Sequence, residues 1–221
     1  MEPMERIKVG ITGNHGFIGS HLTNYLRLKT DLEVIPFEKE YFNNEKQLDA
    51  FVKQCHSIVH LAAMNRHQDG QVIYTTNLAL VDKLIKACER TKSRPHILFS
   101  SSTQEERDNL YGKSKSEGRL LLEDWAEKQN AKVTGLIIPN VFGPFGKPFY
   151  NSVVATFCYQ LANNEQPKVD NDAEIGLIYV NELVEKIYSF IKGGLDPEYK
   201  NKNKAVIQPS KQIKVSEILK L

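Results

Sequence analysis

Apolar residues in this chain fall into two alternating patterns: short near-continuous runs, and longer stretches in which they recur every three or four positions. The runs are Ile7–Thr12 (IKVGIT), Glu33–Phe37 (EVIPF), Ser57–Ala62 (SIVHLA), Pro95–Ser101 (PHILFSS) and Lys132–Ile138 (KVTGLII), with shorter ones at Leu177–Val180 and Ala205–Ile207. Such runs read as strands buried on both faces, although Pro36 marks the second as irregular or close to its end. Between them the spacing predicts helices over about Phe17–Lys29, Glu45–Gln54 and Val72–Arg90. In the last of these Leu78, Val81, Leu84, Ile85 and Cys88 line one face. Further helices are predicted over Leu110–Lys128, Ser152–Ala162 and Glu182–Ile191, and from Val215 onward, with Pro139–Pro148 as a turn-rich loop.

Strands alternating with helices mean right-handed βαβ units. The fold class is therefore α/β, a Rossmann-type doubly wound parallel sheet with helices on both faces. Ligands of such sheets bind beyond the carboxyl ends of the strands, so polar motifs should follow strands. In this sequence they do.

Composition narrows the partners. The 29 basic and 27 acidic side chains leave a formal charge of +2, which gives no electrostatic case for nucleic acid. Lys200, Lys202 and Lys204 read as a solvated loop. No apolar run approaches the roughly 20 residues that span a bilayer, and the charged Met1–Arg6 segment is no secretory signal; a cytoplasmic protein is expected. Cys55, Cys88 and Cys158 lack metal-ligand spacing and read as idle thiols of a reducing compartment. His56 and His60 flank a strand and lie roughly 13 Å apart, too far to share a metal, so no metal is expected.

Thr12-Gly13-Asn14-His15-Gly16-Phe17-Ile18-Gly19 follows the first strand and opens the first helix. Gly13 suits a tight turn, Gly16 the approach of a pyrophosphate, and Gly19 close helix–strand packing, while the helix offers N–H groups and a positive dipole end. The G-x-x-G-x-x-G spacing is one residue longer than the usual dinucleotide fingerprint. His15 reads as a loop residue rather than a catalyst. Glu38, at the end of the second strand, favours the ribose hydroxyls of NAD; Lys39 beside it equally suits a 2′-phosphate.

Tyr111-Gly-Lys-Ser-Lys115 puts a phenol and an ammonium one helical turn apart. A cation beside a phenol favours phenolate and brings it toward working pH, for proton exchange with a carbonyl oxygen as hydride moves. Ser100, Ser101 and Ser102 end the preceding strand and supply hydroxyls. Tyr25/Lys29 and Tyr188/Lys192 share the spacing and read as solvated helix faces; position after the serine-ended strand is what distinguishes Tyr111.

With these motifs the chain resembles the extended short-chain dehydrogenase/reductase (epimerase/dehydratase) family. The resemblance is carried by TGNHGFIGSHL (12–22), HLAA (60–63), Asn77, FSSS (99–102), YGKSK (111–115) and PNVFG (139–143), in family order and across almost the whole chain. It implies catalysis by Ser102, Tyr111 and Lys115. It further implies that Gly13, His15, Gly16, Phe17 and Ile18 meet the cofactor phosphates, with Glu38 at the adenosine end. Leu61, Ala62, Ala63, Asn77, Ser100 and Pro139 lie along the cofactor in this reading, and Lys115 also holds the nicotinamide ribose.

HLAAMNR (60–66), ILFSSSTQ (97–104), NLYGKSK (109–115), residues 139–165 and LIYVNELV (177–184) resemble one branch more closely: reductase domains of bifunctional bacterial enzymes of capsular polysaccharide synthesis. These reduce the C4 ketone of a UDP-6-deoxy-aminohexulose with NADPH and are followed by a cupin domain that epimerises C3. The nine positions from Ser102 to Tyr111 suit that branch. The resemblance implies one domain over 1–221, with a partial substrate lobe from about 139–180 and 205–221. Asn65, Arg66, Ser102, Asn140, Lys147 and Asn151 would face the UDP-linked sugar, Arg66 and Lys147 its diphosphate. Ile137 and Asn181 depart from the family's usual Arg and acidic residue, and Leu221 falls within the closing helix, short of any cupin.

The expected activity is NAD(P)H-dependent reduction of a UDP-4-keto-6-deoxy-aminosugar, with NADP and secondarily NAD as cofactor. The rivals are a nucleotide-sugar 4-epimerase or dehydratase with tightly bound NAD, and a non-catalytic dinucleotide-sensing or partner-binding module. The family also implies a homodimer through helices 72–90 and 110–128.

Overall fold

The computed structural model describes residues 5–169, 171–194 and 203–220. A six-stranded sheet is built from β1 (Ile7–Thr12), β2 (Leu32–Ile35), β3 (Ser57–His60), β4 (His96–Ser102), β5 (Val133–Ile138) and β8 (Lys204–Val206), in the order β2-β1-β3-β4-β5-β8. Every pairing in it is parallel, with Thr12 opposite His60 and Ser102 opposite Ile138. The expected doubly wound sheet is therefore present. The chain leaves β1 for β2 on one side and crosses back to β3 on the other, which makes the end of β1 a topological switch point.

Helices α1 (Phe17–Arg27) and α6 (Val180–Gly194) cover one face, and α2 (Glu45–Gln54), α3 (Gly70–Thr91) and α4 (Leu110–Gln129) the other. Successive strand residues feed opposite layers. Ile97 and Phe99 pack with Val81, Leu84, Leu122 and Trp125, whereas Leu98 packs with Leu22, Leu183 and Ile187. Burial on both sides is why these strands show no polar alternation. Short polar residues set the helix ends: the side chains of Asn44, Asp69 and Asn109 accept from the first turns of α2, α3 and α4. Lys92 and Asn130 end α3 and α4 in the left-handed region.

A second, three-stranded sheet is made of β6 (Asn140–Phe142), β7 (Glu174–Tyr179) and β9 (Lys211–Lys214), accompanied by α5 (Val153–Ala162) and α7 (Val215–Ile218). β6 lies in the segment expected to be a loop. It becomes a strand by pairing with β7, a non-local partner that its local turn residues do not announce. β9 escapes the hydrophobic pattern because only Ile213 of its four residues is buried. Short 3-10 helices at Lys39–Asn43 and Thr103–Glu106 are likewise additions. β2 ends at Ile35, directly before Pro36.

Two readings of charged residues change. Lys204 opens β8 rather than lying in a loop; Lys200 and Lys202 lie outside the described residues. Tyr25/Lys29 and Tyr188/Lys192 are not separate solvated faces. They meet where α1 packs on α6, with the two rings 6.0 Å apart, the Lys29 ammonium over both, and Asp31 bonded by Tyr188 and Lys192.

Candidate active site

The loop after β1 is shaped by close approaches. Gly13 has φ +73, and a Cβ on it would stand 2.8 Å from the backbone nitrogen of Ala62. A Cβ on Gly19 would stand 2.1 Å from the Gly13 carbonyl oxygen. Both positions therefore require glycine, and the loop lies against the segment Leu61–Ala63 that follows β3. Gly16 caps α1 without a side-chain hydrogen bond, and the first turn carries no acidic residue. The leading N–H groups and the dipole end thus suit an anionic group, and the cradle fits a dinucleotide pyrophosphate. At the rim, Asn14 donates to the Phe37 carbonyl at 2.9 Å, and His15 lies 3.7 Å from Glu38, both largely exposed. Loop and β2 end thus sit together.

Behind the loop a chain of hydrogen bonds crosses three strands. His60 Nδ1 and Thr12 Oγ1 are 2.8 Å apart, and the same hydroxyl accepts from Ala62 N–H. Ser100 donates to the His60 carbonyl at 3.0 Å, and Lys115 Nζ reaches Ser100 Oγ at 3.5 Å. Lys115 is buried, its ammonium 5.0 Å from the Phe99 ring centroid and 5.8 Å from that of Tyr111. Thus α4 brings Tyr111 and Lys115 against the carboxyl end of β4, beside the Gly-rich loop. Ser102 starts the 3-10 turn, its oxygen accepting from Gln104 N–H, so the hydroxyl hydrogen is left to donate elsewhere.

The electrostatics differ from expectation. Burial first, and the Tyr150 phenol second, push Tyr111 up to about 12. Burial pushes Lys115 down to about 8, against the opposing pull of Glu105. Desolvation disfavours both charged forms, so Tyr111 stands as a protonated phenol at neutral pH.

Among the residues expected to face a sugar nucleotide, three are gathered. Arg66 donates to Asn151 Oδ1 at 3.2 Å and to the Phe149 carbonyl at 2.8 Å. Its guanidinium carbon lies 5.5 Å from the Tyr150 ring centroid, and Lys147 Nζ lies 5.2 Å from the same centroid. Asn140 is directed elsewhere, donating to the Gly176 carbonyl within the second sheet. Asn65 is half-buried beside Arg66, and Pro139 is buried between β5 and β6. Asn77 does not line an open surface: its amide accepts from Met64 N–H at 2.7 Å and donates to the Met64 carbonyl and to Ser114 Oγ. It fixes the chain after β3 rather than presenting polar atoms to a ligand.

Sequence reasoning missed Tyr150 and the buried pair Glu105–Arg119. Tyr150 falls between the turn-rich loop Pro139–Pro148 and the helix expected from Ser152, in neither pattern. Arg119 did offer a signal, lying four residues beyond Lys115 on the Tyr111 face. Among the described residues there is no cluster of ligands suited to a metal ion and no helix long and apolar enough to cross a membrane.

The model of the NAD dependent epimerase/dehydratase family matches residues 9–199. A curated Pseudomonas aeruginosa protein, UDP-2-acetamido-2,6-beta-L-arabino-hexul-4-ose reductase, is 32% identical over 213 residues, covering 96% of this chain and 56% of that protein. The crystal structure of capsular polysaccharide assembling protein CapF from Staphylococcus aureus matches with a TM-score of 0.78 and 32% identity, over 97% of this chain and 56% of that one. RMD of Pseudomonas aeruginosa, solved with NADPH, shares the fold with a TM-score of 0.82 at 17% identity, over 96% of this chain and 82% of that one. The chain thus spans about half the length of the curated reductase and of CapF, and its likeness to the reductase domain anticipated from HLAAMNR and NLYGKSK stands.

Proposed function

The chain belongs to the NAD dependent epimerase/dehydratase family, and on that premise we propose that it is an NAD(P)H-dependent reductase of the C4 ketone of a UDP-linked 4-keto-6-deoxy-aminosugar, serving capsule or surface polysaccharide precursor synthesis. The observation that carries the reading is the convergence of Tyr111, Lys115 and the serine-ended β4 beside the Gly13 loop, with Lys115 Nζ 3.5 Å from Ser100 Oγ. The relatives named as a hexul-4-ose reductase and as CapF support the substrate class.

In this proposal Gly13, Gly16, Phe17 and Ile18 hold the pyrophosphate, and Lys115 the nicotinamide ribose. A nicotinamide cofactor bound there supplies hydride to C4. Tyr111, protonated at neutral pH, gives its phenolic proton to the ketone oxygen as that oxygen gains charge. Ser102 donates its free hydroxyl hydrogen to the same oxygen and polarises the carbonyl. Lys115 stabilises the phenolate left on Tyr111. Arg66 and Lys147, gathered around Tyr150, meet the diphosphate. His15 and Lys39 offer two nitrogen groups to a 2′-phosphate but stand beside the two carboxylates of Glu38 and Glu40, so NADPH is proposed on the family resemblance, with NADH accepted.

The test is to offer NADPH or NADH with a UDP-4-keto-6-deoxy-aminosugar and to follow nicotinamide absorbance. Consumption matched by a C4 alcohol product supports the reading. Tightly bound NAD recovered on purification, with epimerisation and no net oxidation, would replace it with the epimerase alternative. Cofactor binding with no turnover of any UDP-sugar would leave a dinucleotide-sensing module.

We further propose a cytoplasmic homodimer through α3 and α4. Leu120 and Leu121 are exposed on α4 at 52% and 43%, apolar surface that a partner helix would cover. Monomeric mass in light scattering would overturn it.

A further inference from the structure

The segment that joins β6 to α5 is held from outside by one side chain. Arg66, in the stretch after β3, donates Nη1 to the Phe149 carbonyl at 2.8 Å and Nε to Asn151 Oδ1 at 3.2 Å. These two bonds grip the residues on either side of Tyr150. From the other direction, the Phe149 N–H donates to Thr156 Oγ1 on α5 at 2.9 Å. Phe149 itself stands at φ +55, in the left-handed region that a phenylalanine enters at a cost. Such a conformation persists where its surroundings over-determine it, and ligand clamps are one place where that happens.

Tyr150, half-buried between those ties, is a post for two cations. The Arg66 guanidinium carbon lies 5.5 Å from its ring centroid, and Lys147 Nζ lies 5.2 Å from it. At such distances the negative face of an aromatic ring attracts a cation. The partners of Arg66 are an amide oxygen, a carbonyl oxygen and the ring, and the partner of Lys147 is the ring. Among the described residues no carboxylate offsets either charge. A carboxylate placed there would gather the cations and neutralise them; a ring gathers them and leaves their charge to a ligand. Arg66 uses two of its five N–H groups on the loop, which leaves three for an oxyanion.

We propose that Tyr150 is a positioning residue: its ring holds Arg66 and Lys147 together as a subsite for two linked phosphates, and so selects a nucleoside diphosphate over a monophosphate. The inference rests on the UDP-sugar reading given above and adds the residue on which the affinity for the second phosphate depends. Because Arg66 also ties the backbone on both sides of Tyr150, ring and guanidinium fix each other.

The test is calorimetric titration of the full chain with UDP and, separately, with UMP. Tyr150→Phe keeps the ring and removes the phenol; Tyr150→Leu keeps apolar bulk and removes the ring face. Tyr150→Phe should bind UDP within about twofold of wild type, since the ring face remains. Tyr150→Leu should bind UDP about tenfold more weakly, as loss of two such contacts at an exposed site requires, and UMP about threefold more weakly. Pentafluorophenylalanine at position 150 keeps the shape of the ring and reverses the charge of its face; it should show the same losses, and it decides alone if Tyr150→Leu does not fold. A ring that merely filled space would cost UDP and UMP the same factor, and that result overturns the proposal. So does UDP binding that is unchanged in Tyr150→Leu or absent from the wild type. An equal loss in Tyr150→Phe overturns it as well, because the phenol and not the ring would then be the group at work. Titration with UDP involves no turnover, so it separates the subsite from the chemistry. Affinities that follow the expected pattern while no UDP-sugar is reduced uphold Tyr150 and remove the reductase reading; unchanged affinities in an active reductase do the reverse.

Discussion

Asn77 on α3 donates to the Ser114 hydroxyl on α4 at 3.0 Å, and Ser114 in turn donates to the Tyr111 carbonyl at 2.7 Å. The same amide clamps both polar backbone groups of Met64. One buried side chain thus registers three segments that border the site. Asn77→Ala leaves those partners without it in a dry environment, at a cost of about 2 kcal/mol. For a chain of this size that is a fall in Tm of about 6 °C. A Tm within a degree or so of wild type in thermal melts would show that the clamp carries no weight.

Tyr111→Phe removes the proposed proton donor and keeps the ring. We expect kcat to fall by about 10²- to 10⁴-fold, with cofactor affinity and Tm unchanged. Turnover equal to wild type in the absorbance assay would refute the assigned donor.

Arg66 is exposed and holds the loop that bears Phe149 and Asn151. If it also meets the diphosphate, Arg66→Ala should raise KM for the UDP-sugar about tenfold while leaving kcat nearly unchanged. Steady-state kinetics decide it; a lowered kcat at constant KM would place the residue in the chemistry instead of in binding.

Gly19→Ala sets a methyl group against the Gly13 carbonyl oxygen, where 2.1 Å is available. The loop must shift, with an expected loss of about 1–3 kcal/mol of stability and weaker dinucleotide binding. Calorimetric titration with NADPH and a denaturant melt measure the two effects, and an unaltered affinity would show that the cradle does not need this contact.

Acid should unfold the protein through two buried histidines. Burial pushes His60 down to about 3 and His96 down to about 4, from 6.5. Below 6.5 the unfolded chain takes up protons that the folded chain refuses. The contribution is therefore complete above pH 6.5 and is lost as pH falls toward 4 and then 3. Each histidine costs about 1.4 kcal/mol per pH unit across its window. Urea midpoints measured between pH 7 and pH 4.5 should fall accordingly; a flat profile would mean that neither histidine is buried neutral.

Several features were legible because they are local. The continuous apolar runs of β1, β4 and β5 announced strands buried on both faces, and Gly13, Gly16 and Gly19 between a strand and a helix announced a phosphate cradle. Tyr111 and Lys115, one turn apart after a serine-ended strand, announced the phenol and ammonium that α4 sets against the end of β4. Spacing along one helix or one turn fixes such geometry without reference to the rest of the molecule. What the tertiary structure alone decided depends on partners distant in the chain. β6 is a strand because β7 pairs with it, and Asn77 is a clamp because Met64 and Ser114 come to it. The decoy pairs Tyr25/Lys29 and Tyr188/Lys192 meet each other across α1 and α6. Charge states belong to the same class. The Tyr–Lys spacing by itself argued for a phenol of lowered pKa, but burial depends on what packs around a group, and here desolvation, with the Tyr150 phenol, keeps Tyr111 protonated.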